Sequence, residues 1–145
     1  MVLSCQEHIQ KTNSQGTPLE SHLTKYLLIY ICAEYEKEFR KIVQRKAVNN
    51  GDHELASFIV KRTDVRSLKI KDLKNNILNL FNENHSASFQ ELLEKSDAVN
   101  KYHNIVENRN LAAHGESINM SFDELLKTYE DATEVLNIFS KILNS

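Results

Sequence analysis

A chain of 145 residues is the size of one domain, and 41% hydrophobic with 26% charged residues is the balance of a soluble globular protein. Three glycines and one proline are too few for a many-turned β architecture, and two cysteines are too few for a disulfide framework, so a reducing, cytoplasmic setting is expected. The net charge of −2 is unevenly spread: residues 37–74 carry eleven Lys and Arg against five Asp and Glu (+6), and the remainder carries seven against fifteen (−8).

Residues 1–16 show no sustained period and include the turn-prone KTNSQG, which predicts a flexible N-terminal arm ahead of a single helical domain over 17–145. The start, MVLSCQEHIQ, has neither the basic region nor the apolar core of a signal peptide. Thr17-Pro18-Leu19-Glu20 is a helix start: threonine can cap, proline suits the first helical position, and Glu20 closes a capping box. No breaker follows until Asn49-Asn50-Gly51-Asp52, so the helix should run to about Val48, on the order of 45 Å. Its middle, YLLIYICA, is apolar nearly all round and should be the most buried element, although it is far too short to span a membrane. Glu34 falls on that helix between the angles of Leu27 and Tyr30, with Glu38 one turn later, and a carboxylate there needs a partner.

Asp52 can cap a second helix through HELASFIVKR to about Thr63. Asp72 is the expected cap of a third, with Leu73, Ile77, Leu80 and Phe81 on its apolar face. NENHSA reads as a loop, and Ser88 with Glu91 as the capping box of a short helix. Ser121 and Glu124 form a further box for a last helix to about Leu143, with Phe122, Leu125, Leu126, Tyr129, Ala132, Leu136, Phe139 and Leu143 inward. The fold class predicted is all-α: an up-and-down bundle of about five to six helices around a long central first helix.

Between these elements lies SDAVNKYHNIVENRNLAAHG, residues 96–115, opening with the capping residues Ser96 and Asp97 and closing on a glycine suited to a helix C-cap. Ala98, Tyr102, Ile105, Arg109 and Ala112 recur on one helical face, so Arg109 continues an apolar stripe where a charge must be paired or used. His114 follows near the helix end. A permanently charged arginine and a histidine, the residue type that titrates near neutrality, suit phosphodiester chemistry. Glu34 is the expected partner of Arg109, either as a buried ion pair alone or as a group that also orients the arginine. Tyr102 can line a cleft or pack the core, and Asp97, His103 and Glu107 read as a solvated face. Cys5-x2-His8 lacks a second ligand pair, so no metal is expected, and three scattered glycines form no phosphate-cradling loop. Within the basic segment, Arg40, Lys41, Arg45 and Lys46 are the candidate RNA contacts, the alternative being a solvated helix face.

Arg109-Asn110-Leu111-Ala112-Ala113-His114 resembles the Arg-x4-His signature of the HEPN superfamily, and YLLIYICAEYEKEFRKIV resembles the first helix of small stand-alone members of the RiboL-PSP type. A polar residue after the arginine, here Asn110, and a motif placed ahead of a final helix are similar to the family's pattern. The resemblance implies an all-α, metal-independent ribonuclease without cofactors. It also implies a homodimer whose facing motif helices put two arginines and two histidines in one cleft, with Ala112 and Ala113 small enough to let the helices approach. It further implies a toxin or phage-defence effector held in check by an antitoxin or other regulatory partner. The tyrosines that often follow the histidine in toxins regulated by a nucleotidyltransferase are replaced here by Gly115-Glu116-Ser117-Ile118.

The expected reaction is therefore RNA cleavage by a neighbouring 2′-hydroxyl, giving a 2′,3′-cyclic phosphate and a 5′-hydroxyl. His114 would be base or acid, Arg109 would stabilise phosphoryl charge, and Asn110 would orient His114 or bind phosphate. Five residues along a regular helix separate side chains by about 140° and about 7.5 Å of rise, so Arg109 and His114 converge only at a distorted helix end or across two chains. The rival readings are a non-catalytic HEPN-like module that binds RNA or a nucleotide, and a helical protein-interaction domain.

Overall fold

The computed structural model describes residues 2–11, 17–49 and 51–144. Its elements are α1 (Val2–Lys11), α2 (Pro18–Val48), α3 (His53–Arg62), α4 (70–81), α5 (His85–Glu94), α6 (Ala98–Ala113), α7 (Phe122–Ala132) and α8 (Glu134–Leu143), with no strand among the described residues. The chain is all-α.

The 31-residue α2, about 46 Å long, is the axis. It packs most extensively on α6 and α3, and touches α7 and α8 along its length. Leu27, Leu28, Ile31, Cys32, Tyr35, Phe39, Ile42 and Val43 form its buried side. An aromatic series ties the helices together. Tyr35 stacks on Tyr102 with centroids 5.9 Å apart, Phe39 meets Phe139 edge-on at 4.9 Å, and Phe89 meets Phe139 at 5.9 Å. The Tyr102 hydroxyl, inside this core, donates to the Leu68 carbonyl at 2.6 Å and so anchors the α3–α4 connection onto α6.

Several expectations shift. Residues 2–11, expected as part of an arm, are helical, and Cys5 packs against the core; residues 12–16 and the expected turn KTNSQG lie mostly outside the described residues. The middle of α2 is not buried all round: Tyr26, Ile29 and Tyr30 are 53%, 45% and 39% exposed. In α4, which begins at Ile70 rather than at a cap by Asp72, residues Lys74–Leu78 form a π-helical turn, with the Asn79 N–H reaching the Lys74 carbonyl. The extra residue keeps Leu73, Ile77 and Leu78 inside and sends Leu80 into solvent. α5 starts at His85, inside the expected loop and ahead of the proposed Ser88 cap. The final helix is two, broken at Thr133, whose hydroxyl bonds the Glu130 carbonyl. The Asp52 and Ser121 caps form as expected, accepting from the Leu55 N–H at 3.0 Å and the Glu124 N–H at 3.1 Å.

Tyr102→Phe keeps the packing but strands the Leu68 carbonyl. A loss of about 1–3 kcal/mol in urea unfolding is expected; an unchanged midpoint would mean this bond does not anchor the connection.

Candidate active site

α6 presents its inner face, Ala98, Tyr102, Ile105 and Val106, to the core, and the same face emerges toward solvent at Arg109. The Arg109 side chain is 23% exposed, and its Nη2 lies 3.6 Å from Oε1 of Glu36, itself 24% exposed. Its Nε is buried without a hydrogen-bond partner. Beneath it lies Cys32, whose thiol burial pushes up to about 12 against the pull of the Arg109 charge. The other carboxylate oxygen of Glu36 is 3.9 Å from Arg40 Nη2, so one carboxylate serves two guanidiniums. Arg40 in turn donates to the Val65 carbonyl at 2.9 Å and pairs with Asp64 at 3.5 Å.

The expected partner, Glu34, is not there. It pairs with Lys37 at 3.2 Å on an exposed flank. The reason is the exposure of Tyr30, which the angular argument had counted as inward. Glu36 belongs instead to the four-residue row Leu28, Cys32, Glu36, Arg40, which faces α6 before turning out. That row was visible in the sequence, and with it the better partner. Glu38 pairs with Lys41 at 2.8 Å, and this hydrogen bond holds its carboxyl below the usual carboxylate range, away from Arg109. Tyr102 is 1% exposed and is a core residue rather than a cleft wall.

His114 is the C-cap of α6 and is exposed; Asn110 is half-buried one turn earlier. The helix ends in a Schellman arrangement: the Glu116 N–H reaches the Leu111 carbonyl at 2.9 Å and the Gly115 N–H that of Ala112 at 3.1 Å. Gly115 has φ 71°, the left-handed conformation this turn requires. The helix stays regular through Ala113, so Arg109 and His114 remain about 140° apart around its axis. Asn108, 2% exposed, was missed by the sequence reading. Its Oδ1 accepts from the Asn119 N–H at 2.7 Å, and its amide donates to the Asn104 carbonyl at 2.9 Å, so it pins the segment after His114 against α6. Of the candidate RNA contacts, Arg40 and Lys41 are engaged as above. Arg45 is exposed, and Lys46 lies near His85, whose burial and the Lys46 charge keep it below the usual histidine value. Among the described residues no three His, Cys, Asp or Glu side chains gather as a metal site would require. No helix there is long and apolar enough to cross a membrane.

The Arg109–His114 spacing, on a helix that closes at a left-handed glycine and faces a long first helix, agrees with the comparison of the whole sequence. The chain belongs to the RiboL-PSP-HEPN family. That family's model matches residues 2–145, a span that takes in α1. No curated protein and no solved structure matches the chain. HEPN domains are often ribonucleases.

Glu36→Ala should lower stability by about 1–3 kcal/mol, because it leaves the Arg109 guanidinium half-buried and unpaired, whereas Glu34→Ala should stay within about 0.5 kcal/mol. Equal effects in urea melts would sink the assignment. Folding favours the protonated Cys32 thiol, so stability should fall as pH rises from about 9 toward about 12. In the folded protein a maleimide should label the half-buried Cys5 ahead of Cys32, and Cys32 only at the rate of unfolding; fast double labelling would contradict the burial of Cys32.

Proposed function

We propose that this HEPN protein is a metal-independent endoribonuclease whose site is completed by a second copy of the chain. The observation that carries the reading is the state of Arg109. A guanidinium serving only as a structural ion pair should sit close against its carboxylate, yet this one has a single carboxylate at 3.6 Å and a partly exposed head. It is held in place by Glu36 and retains donors for a phosphate.

In the proposed reaction the 2′-oxygen attacks the adjacent phosphorus while His114 takes its proton. The P–O5′ bond breaks, and the leaving 5′-oxygen takes a proton from a second histidine, giving a 2′,3′-cyclic phosphate and a 5′-hydroxyl. Arg109 neutralises the charge that gathers on the non-bridging oxygens. Asn110, one turn before His114, orients the imidazole or the phosphate. DNA, lacking the 2′-hydroxyl, is not a substrate.

A second copy is invoked because Arg109 and His114 diverge around the axis of α6. The exposed apolar row Tyr26, Ile29 and Ala33 supports it, since at three- and four-residue steps it runs along α2 directly to Glu36. Such an enzyme endangers the RNA of its own cell, so the reading includes a toxin or defence role in the cytoplasm and an inhibitory partner. The same divergence favours a second reading, RNA binding without cleavage.

Purified protein given transfer RNA in EDTA should produce cyclic-phosphate ends. His114→Ala and Arg109→Ala should each reduce cleavage by at least about 100-fold, and His114→Ala should melt with the parent because the side chain is exposed. Intact RNA with saturable binding in the parent would replace the enzyme with the binding module.

A further inference from the structure

Beyond Arg40 from the Arg109 pair lies a cleft of about 470 Å³, between the C-terminal end of α3 and α4, with Lys61, Arg62, Arg66, Asn75, Asn76 and Leu80 in its lining. Its two aspartates are already engaged. Asp64 meets Arg66 at 3.4 Å and Arg40 at 3.5 Å, and Asp72 accepts from the Ser67 hydroxyl at 2.6 Å. Lys61 and Arg62, both exposed, have no carboxylate partner among the described residues. Both sit in the last turn of α3, whose C-terminal carbonyls favour them, and no carboxylate side chain among the described residues pairs with either at the mouth of this concave surface.

The opposite wall has a different chemistry. Asn75 and Asn76 stand side by side on the π-helical turn Lys74–Leu78, exposed, while Ile77 and Leu78 of the same turn remain in the core. Their amides make no hydrogen bond among the described residues, so donors and acceptors both face the cleft. Such a turn is rare inside helices and, where it occurs, often marks a functional site. Leu80, 54% exposed, adds an apolar surface one turn on. Cations on one side, paired amides and an apolar side chain on the other, match a nucleotide: phosphate, base edge and base face. A duplex would keep its base edges paired and stacked, out of reach of the asparagines; an unpaired strand can splay a base into the cleft.

We propose that this cleft is a nucleotide subsite for single-stranded RNA, holding the strand beside the phosphate at Arg109. The two places share a frame, since Arg40 holds the Val65 carbonyl of the cleft wall at 2.9 Å and meets Glu36, the partner of Arg109, at 3.9 Å. The role beside a scissile phosphate rests on the ribonuclease reading; binding itself does not.

The test uses the full chain and a short single-stranded 2′-O-methyl RNA oligonucleotide, which has no nucleophilic 2′-hydroxyl, followed by fluorescence anisotropy over a range of salt. Lys61→Ala/Arg62→Ala should weaken binding about 10-fold at about 50 mM salt and make the slope of log K on log salt shallower by about 1.4, two phosphate contacts' worth. Lys61→Gln/Arg62→Gln should do the same while keeping the aliphatic stems, Asn75→Ala/Asn76→Ala should weaken binding with the slope unchanged, and Lys127→Ala should match the parent. Parental affinity and slope in both double charge variants would overturn the subsite, as would an affinity for duplex equal to that for single strand, or no binding by the parent. Cleavage ends are read separately. Intact RNA there with the expected binding losses removes the ribonuclease reading and leaves the subsite, whereas cyclic-phosphate ends with unchanged binding do the reverse.

Discussion

The contact between α2 and α6 is the constraint on which the rest of the molecule depends. Tyr35 stacking on Tyr102, with Phe39 edge-on to the same ring, sets how far apart the two helices lie and how they are rotated. That rotation decides which residues appear at the edge of the interface: Cys32 and Glu36 from one helix, Arg109 from the other. The same tyrosine, through its hydroxyl, fixes the start of α4 and with it the far side of the basic cleft. A single aromatic residue thus bears on the placement of Arg109 and of the cleft beside α4.

The electrostatics built on this frame form a chain rather than isolated pairs. Asp64, Arg40, Glu36 and Arg109 alternate in sign with separations of 3.5, 3.9 and 3.6 Å. None of these contacts is short, and the more exposed Arg40–Asp64 pair contributes little to stability, whereas loss of Glu36 would leave a half-buried guanidinium unpaired. Their effect is positional. The four charges sum to zero, but Arg109 stands at the open end of the chain, where its one carboxylate is shared with Arg40. Arg109 is held in place by a carboxylate that it shares.

The two motif residues are held by different means. Arg109 is fixed from outside its helix, by α2, whereas His114 is fixed by the end of its own helix, where Gly115 adopts φ 71° and Asn108 secures the following segment. The rigid spacing that results keeps the residues on different sides of α6. It also explains why the chemistry proposed for this HEPN protein calls on a second chain, and why the exposed apolar row of α2 leading to Glu36 matters to the argument.

By itself, the sequence determined the all-α class, the span of α2, the caps at Asp52 and Ser121 and the glycine ending of α6, because each rests on local periodicity or on a side chain bonding its own backbone. The Arg-x4-His motif was legible for the same reason: it is contiguous. Tertiary structure decided the partner of Arg109: the row Leu28, Cys32, Glu36 could be read from the sequence, but choosing it over the face of Glu34 turns on how α2 is rotated against α6. It also decided that Tyr102 is core, that residues 2–11 are helical where Cys5 finds apolar surface, and that α4 contains a π-helical turn bringing Asn75 and Asn76 to face Lys61 and Arg62. Those two pairs come from two separate elements, and only packing between them could bring the pairs to one cleft.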